Sequence, residues 1–198
     1  MKKIAWLASA VLLVSLTWLA GATEAKPVPV RTKPALLVID VQNAYLPFMD
    51  EKDKKMAMEG INYYIGLFRA SGFPVIRVYH SDPAGGPPAG SEAFAFPKTV
   101  AVRDDDLMVT KNHPSAFKKT ELDKLLKARG CNTLFLCGLS AVGCVLATYH
   151  GALDLDYDAF MLKDALLSHD AGLTKAVQEI SRTIDYYSLK LLLENIAK

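Results

Sequence analysis

The chain has 198 residues, 51% of them hydrophobic and 22% charged, enough for one folded α/β domain but hardly for two. That composition argues against a disordered chain. The formal net charge of +2, carried by scattered basic residues, excludes nucleic-acid binding by bulk electrostatics.

Residues 1–25 read as a segment apart from that domain. Lys2 and Lys3 form a positive head and Ile4 to Ala20 an apolar run; Ala20-Gly21-Ala22 and Thr23-Glu24-Ala25 each offer a small-x-small cleavage pattern. A cleaved signal peptide and an exported mature protein, periplasmic or secreted, are the expectation. An uncleaved anchor is the alternative, because roughly 17–19 apolar residues just span a bilayer. Only in that case is a membrane a partner. No cysteine precedes Cys131, which excludes a lipid-modified cysteine near the cleavage site.

Residues 26–34, with Pro27, Pro29 and Pro34, read as a linker into a domain covering 35–198. Ala35 to Ile39 is a continuous apolar run ending at Asp40, the pattern of a fully buried parallel strand. Ile61, Tyr64, Ile65 and Phe68 share one helix face between Asp53 and Ser71, and Gly72 stops that helix. Pro74 to Tyr79 is the second strand. The Gly- and Pro-rich stretch 82–97 reads as a long irregular loop, a kind usually functional or mobile. Leu107 to Thr110 forms a short third strand running into Lys111. Leu122, Leu125 and Leu126 mark a helix closed by Gly130, Thr133 to Cys137 the fourth strand, and a helix follows from about Gly143. Ala159 to Leu162 is the fifth strand, and Leu173, Ala176, Val177 and Ile180 give another helical face. The tail after Ile184 offers a short sixth strand and a last helix.

This alternation predicts an α/β fold: a three-layer, Rossmann-like sandwich with a mostly parallel, about six-stranded central sheet. Active sites of such sheets lie beyond the carboxyl ends of the strands. Asp40, Lys111 and the segment holding Cys144 all follow strand ends, so three distant positions converge on one edge.

Several familiar chemistries fail on their spacing. Gly138 to Gly143 has the glycine spacing of a phosphate loop, but Cys144 and Val145 replace the required Lys and Ser/Thr. No Gly-x-Gly-x-x-Gly follows the first strand, and Ser140 lacks the second glycine of a serine nucleophile elbow. Cys131 and Cys137 bracket a strand, about 20 Å apart at roughly 3.3 Å per residue, beyond disulfide reach. Cys137 reads as a packing residue. His80 and Asp82 are close in sequence while His113 is remote, so a metal site lacks its cluster of ligands; no metal and no cofactor are expected.

Four blocks carry a resemblance. Ala35-Leu36-Leu37-Val38-Ile39-Asp40-Val41-Gln42-Asn43 resembles the first strand of isochorismatase-like hydrolases, which ends in Asp-x-Gln. Lys111-Asn112-His113-Pro114-Ser115-Ala116-Phe117 resembles their Lys-x-x-x-Ser-Ala-Phe block. Gly138 to Val145 is similar to their Gly-x-x-[Thr/Ala]-x-x-Cys-Val turn, with Ala141 at the Thr/Ala position, and Lys163-Asp164-Ala165 matches the Asp-Ala that closes their fifth strand. Asp156 stands where relatives often carry Gly, and Asp tolerates turn conformations.

The resemblance implies a catalytic triad of Asp40, Lys111 and Cys144, an oxyanion site at the backbone amides of Ala141 and Cys144, and a cis peptide at Ser140-Ala141. It implies hydrolysis of small amide-type C–N bonds through a thioester. Isochorismatase-type vinyl ether cleavage and a non-catalytic ligand-binding protein of the same fold are the alternatives. A helix start at Cys144 would favour its thiolate. Position alone places Tyr45, Phe48, His80, Phe117 and Tyr149 around the substrate. Taken singly, Asp40 also reads as a helix cap, Lys111 as a loop charge and Cys144 as a packed cysteine. The expected partner is a small-molecule substrate, and a homo-oligomer is open.

Overall fold

In the computed structural model, residues 31–196 are described; the expected signal segment and most of the linker lie outside them. The core is a six-stranded sheet, every neighbouring pair of which runs parallel. Strand β1 (Pro34–Ile39) takes in Pro34, one residue earlier than expected, and is buried along its whole length. Helix α1 (Glu51–Ala70) starts before Asp53 because Asp50 caps it, its side chain accepting from the amides of Lys52 and Asp53. Then come β2 (Val75–His80), β3 (Leu107–Lys111), α2 (Leu122–Ala128) and β4 (Thr133–Leu139). After β4 a tight turn, Ala141–Val145, precedes α3 (Leu146–Leu153), and β5 (Asp158–Leu167), α4 (Ala171–Ile180), β6 (Thr183–Ile184) and α5 (Tyr186–Ile196) complete the order.

The strand order is β3-β2-β1-β4-β5-β6, so the chain winds outward in one direction from β1 and in the other from β4. Alternate residues of β1 feed two cores. Leu36 and Val38 pack with α1 and α5 on one face. Ala35, Leu37 and Ile39 pack with α2, α3 and Val177 of α4 on the other. Each fully buried Leu or Ile contributes about 1.5–3 kcal/mol relative to exposure, and these two layers of side chains hold both faces of the sheet. Cys137 is among them, fully buried, as its reading as a packing residue requires.

Three features differ from expectation. Strand β5 continues past Leu162 through a register shift, with Asp164 at φ 63°. Gly60 of α1 lies against that bulge, where a Cβ would come 2.2 Å from the Asp164 carbonyl oxygen. The expected apolar face of α4 is largely uncovered: Val177 is buried, but Leu173, Ala176 and Ile180 are exposed. The stretch 82–97 is irregular as expected, yet its second half is anchored. Phe94 and Phe96 are buried against Tyr79, with ring centroids 4.7 and 4.5 Å away. The amides of Asn43 and Ala44 bond the carbonyls of Ala95 and Ala93.

Candidate active site

The order of strands turns between β1 and β4, and such a reversal opens a crevice beyond the strand ends. Asp40 is the first residue after β1; its amide bonds the Val78 carbonyl, and its φ of 52° turns the chain out of the sheet. On the neighbouring edge, His80 and Lys111 stand opposite one another in the β2–β3 register. From β4 the chain passes Gly138, at φ 111°, into the turn carrying Cys144. Gly138 pairs with Ile39, and a Cβ there would lie 2.1 Å from the Ile39 carbonyl oxygen. Only glycine lets β4 come this close to β1 in that conformation.

Register therefore gathers four side chains. The Lys111 ammonium lies 2.7 Å from Asp40 Oδ2, 3.0 Å from His80 Nδ1 and 3.1 Å from Cys144 Sγ. An ammonium has three N–H groups, and each has a partner. The Lys111 side chain is wholly buried and that of Asp40 nearly so. Burial raises the Asp40 carboxyl pKa, against the opposing pull of Lys111. Asp40 Oδ1, also buried, has no hydrogen-bond partner among the described residues.

The Cys144 thiol is pushed up to about 12, by burial first and then by the Asp40 charge. This corrects the expectation of a thiolate favoured by a helix start. Helix α3 begins only at Leu146, and Gly143 leaves helical geometry at φ −111°, ψ −107°. Cys144 thus sits in the preceding turn, and at rest it is a thiol beside a proton acceptor. His80 is pressed below its ordinary pKa, by burial and then by Lys111.

The loops hold this arrangement firmly. Gln42 closes a two-way amide bond with the His80 backbone, at 3.0 and 2.7 Å. Thr148 Oγ1 donates to the Cys144 carbonyl and accepts from the Ala116 amide, tying the Cys144 turn to the Ser115-Ala116-Phe117 segment. The cis peptide lies at Leu139-Ser140, one bond before the expected Ser140-Ala141.

A family model described as the Isochorismatase domain matches residues 34–184. The chain belongs to the isochorismatase family. It is similar to the isochorismatase family protein YrdC of Bacillus subtilis, 30% identical over 136 residues, covering 67% of this chain and 73% of that one. It is 29% identical over 189 residues to the ureidoacrylate amidohydrolase RutB of Methylobacterium radiotolerans, covering 75% and 72% of the two chains. Among solved structures, N-carbamoylsarcosine amidase of Thermoplasma acidophilum superposes with a TM-score of 0.68 at 25% identity, covering 78% of this chain and 95% of that one. The protein is accordingly an isochorismatase-family hydrolase.

In this family member a pocket of about 250 Å³ opens over the four side chains, lined by Asp40, Tyr45, Phe48, Met49, His80, Leu139, Ser140 and Cys144. Tyr45, Phe48 and His80 were legible by position; Met49, Leu139 and Ser140 were not. Phe117 and Tyr149 do not line it. Phe117 stacks on Tyr157, with centroids 5.7 Å apart. Tyr149 is buried in the α3-side core, its hydroxyl accepting from the Arg182 amide at 3.1 Å. Ala141, the first residue of the turn, is fully buried.

Among the described residues, one donor set could hold a metal: atoms of Asp40, His80 and Cys144 lie within 4.8 Å of one another. Sequence spacing missed it, because these residues meet only through the sheet. The Lys111 ammonium, however, bonds all three, and so stands where a cation would have to sit.

Proposed function

We propose that the protein hydrolyses small amide-type C–N bonds with Cys144 as nucleophile, Asp40 as general base and acid, and Lys111 as the charge that holds them. The observation that carries this is the Lys111 ammonium bonded at once to Asp40, His80 and Cys144 under the pocket. The amidohydrolase and amidase relatives support the bond class.

A thiol at about pKa 12 is a poor nucleophile until its proton leaves. Asp40 Oδ1, buried and unpartnered, accepts that proton as sulfur attacks the carbonyl carbon. The developing thiolate stays next to the Lys111 ammonium, so the charge moves without being left unpaired. We assign the resulting oxyanion to the backbone N–H groups of Ala141 and Cys144. Asp40 passes its proton to the departing nitrogen, releasing ammonia or an amine and leaving a thioester on Cys144. Water, deprotonated by Asp40, then attacks the thioester carbon; the C–S bond breaks, the acid is freed and Cys144 takes the proton back from Asp40.

The test is a panel of small amides, carbamoyl compounds and isochorismate, scored for ammonia and for pyruvate. Ammonia release by the wild type and none by Cys144→Ala supports the reading. Pyruvate release alone points to vinyl ether chemistry, and no turnover with tight ligand binding to a binding protein.

The N-terminal pattern supports export of this activity, with a mature chain beginning at Thr23 or Lys26. N-terminal sequencing of periplasmic material checks this; an intact Met1 in the membrane fraction would mean an anchor.

A further inference from the structure

The pocket over Cys144 carries a distinctive balance of charge. Its wall is Tyr45, Phe48, Met49 and Leu139, with Ser140, His80, Asp40 and Cys144 supplying the polar atoms. Among the described residues, no lysine or arginine lines it. Lys111, bonded to three of the lining residues, is fully buried with each N–H already committed. His80 is driven towards its neutral form by burial and by Lys111. The Tyr45 phenol stays protonated, pushed up to about 12 by burial first and then by the charges of Asp40 and Asp82. The negative charge of Asp82 is felt by both Tyr45 and His80. An entering carboxylate would give up its water, find no cation to replace it, and face Asp40 with Asp82 nearby.

We infer that this site takes neutral amides with a small apolar acyl group and rejects amides whose acyl group bears a carboxylate. The inference rests on the amidase reading and adds a substrate class to it. A neutral acyl chain fits against Phe48, Met49 and Leu139, while the leaving nitrogen faces Asp40. The Tyr45 hydroxyl and the His80 ring remain as neutral groups for orienting the amide.

Two matched pairs of probes test it on the purified protein. Butyramide and succinamate share chain length and differ in a terminal carboxylate. Ammonia release should favour butyramide by at least about 100-fold in kcat/KM, because like-charge contacts at a desolvated site are strongly excluded. The second pair, iodoacetamide and iodoacetate, alkylates Cys144 with loss of iodide and needs no turnover. Each rate on Cys144 is divided by the rate of the same reagent on 2-mercaptoethanol. The normalised preference for iodoacetamide should be at least about 10-fold, on the same argument. Phe48→Arg, at an exposed rim position, should reduce that preference or invert it, whereas Phe48→Gln should keep it.

Iodoacetate matching or outpacing iodoacetamide on Cys144 would overturn the substrate class and leave the nucleophile standing. Cys144 reacting no faster than the buried Cys131 and Cys137, with neither amide turned over, would instead bring down the amidase reading, and this inference with it.

Discussion

The Lys111 ammonium and the Asp40 carboxylate lie 2.7 Å apart with both side chains almost entirely out of water. A buried pair of this kind gains little net stability, yet removing one partner strands the other at a cost of about 3–5 kcal/mol. Lys111→Met and Asp40→Asn should therefore each lower stability by about that amount, the first stranding a buried carboxylate and the second a buried ammonium. The double variant should recover much of the stability lost in Lys111→Met. Activity should follow a different pattern: Asp40→Asn removes the proton acceptor and should cost roughly 10²–10⁴-fold, with no recovery in the double variant. Denaturant unfolding and ammonia release on the same four proteins check both halves.

The pH dependence has a defined sign. Asp40 must be ionised to take the thiol proton, and burial raises its pKa above the ordinary 3.8. Activity should rise with pH through that raised value and then stay level through the ordinary thiol range, since burial and the Asp40 charge push the Cys144 thiol above it. Stability runs the other way for this group. A raised folded-state pKa means the native protein binds the proton more tightly. Its contribution is full below the unfolded pKa and is lost as pH rises through the folded one. The kcat/KM profile and the Tm of wild type and Asp40→Asn across the acid range separate the two effects. An alkaline limb with an ordinary thiol pKa would show that Cys144 is not held as described.

The strands were legible in the sequence because buried parallel strands are unbroken apolar runs, and Ala35 to Ile39 and Thr133 to Cys137 are of that kind. Asp40, Lys111 and Cys144 were legible as positions after strand ends; Asp156 has a φ of 62°, a conformation that Asp tolerates. The partnership of His80 with Lys111 was not legible, because it depends on the β2–β3 register, which local pattern does not specify. Phe117 and Tyr149, placed by position alone, meet Tyr157 and the Arg182 amide instead of lining the pocket, because closeness to a site motif does not reveal which way a side chain points. The face of α4 had a helical period, but Leu173 and Ile180 found no layer to cover them.

Gly138 should tolerate no side chain. Alanine there would adopt φ 111° and place its Cβ 2.1 Å from the Ile39 carbonyl oxygen. Backbone strain costs about 1–3 kcal/mol and overpacking about 1–3 kcal/mol more. Gly138→Ala should lower Tm and displace the Cys144 turn from Asp40, so activity should fall more than stability does. Thermal unfolding together with Cys144 alkylation rates decides this; a variant with wild-type alkylation would show that β4 reaches the site without that close contact.

Activity should survive chelation, because the cation in this site is part of the chain. Asp40, His80 and Cys144 present three donor atoms within 4.8 Å of one another, a set suited to zinc by ligand type. Lys111 Nζ bonds all three, and a divalent ion would have to expel it against like-charge repulsion. Dialysis against a chelator should leave the rate unchanged, and added zinc should not raise the Tm of the wild type. Lys111→Met removes the ammonium and leaves the three donors facing one another. Zinc should then bind and restore part of the lost stability by mass action, without restoring hydrolysis, because the metal would occupy Cys144 and Asp40 themselves. Thermal unfolding of both proteins with and without zinc reads this directly. Loss of wild-type activity on chelation, regained with zinc, would mean that Lys111 yields its place to a metal in the working enzyme.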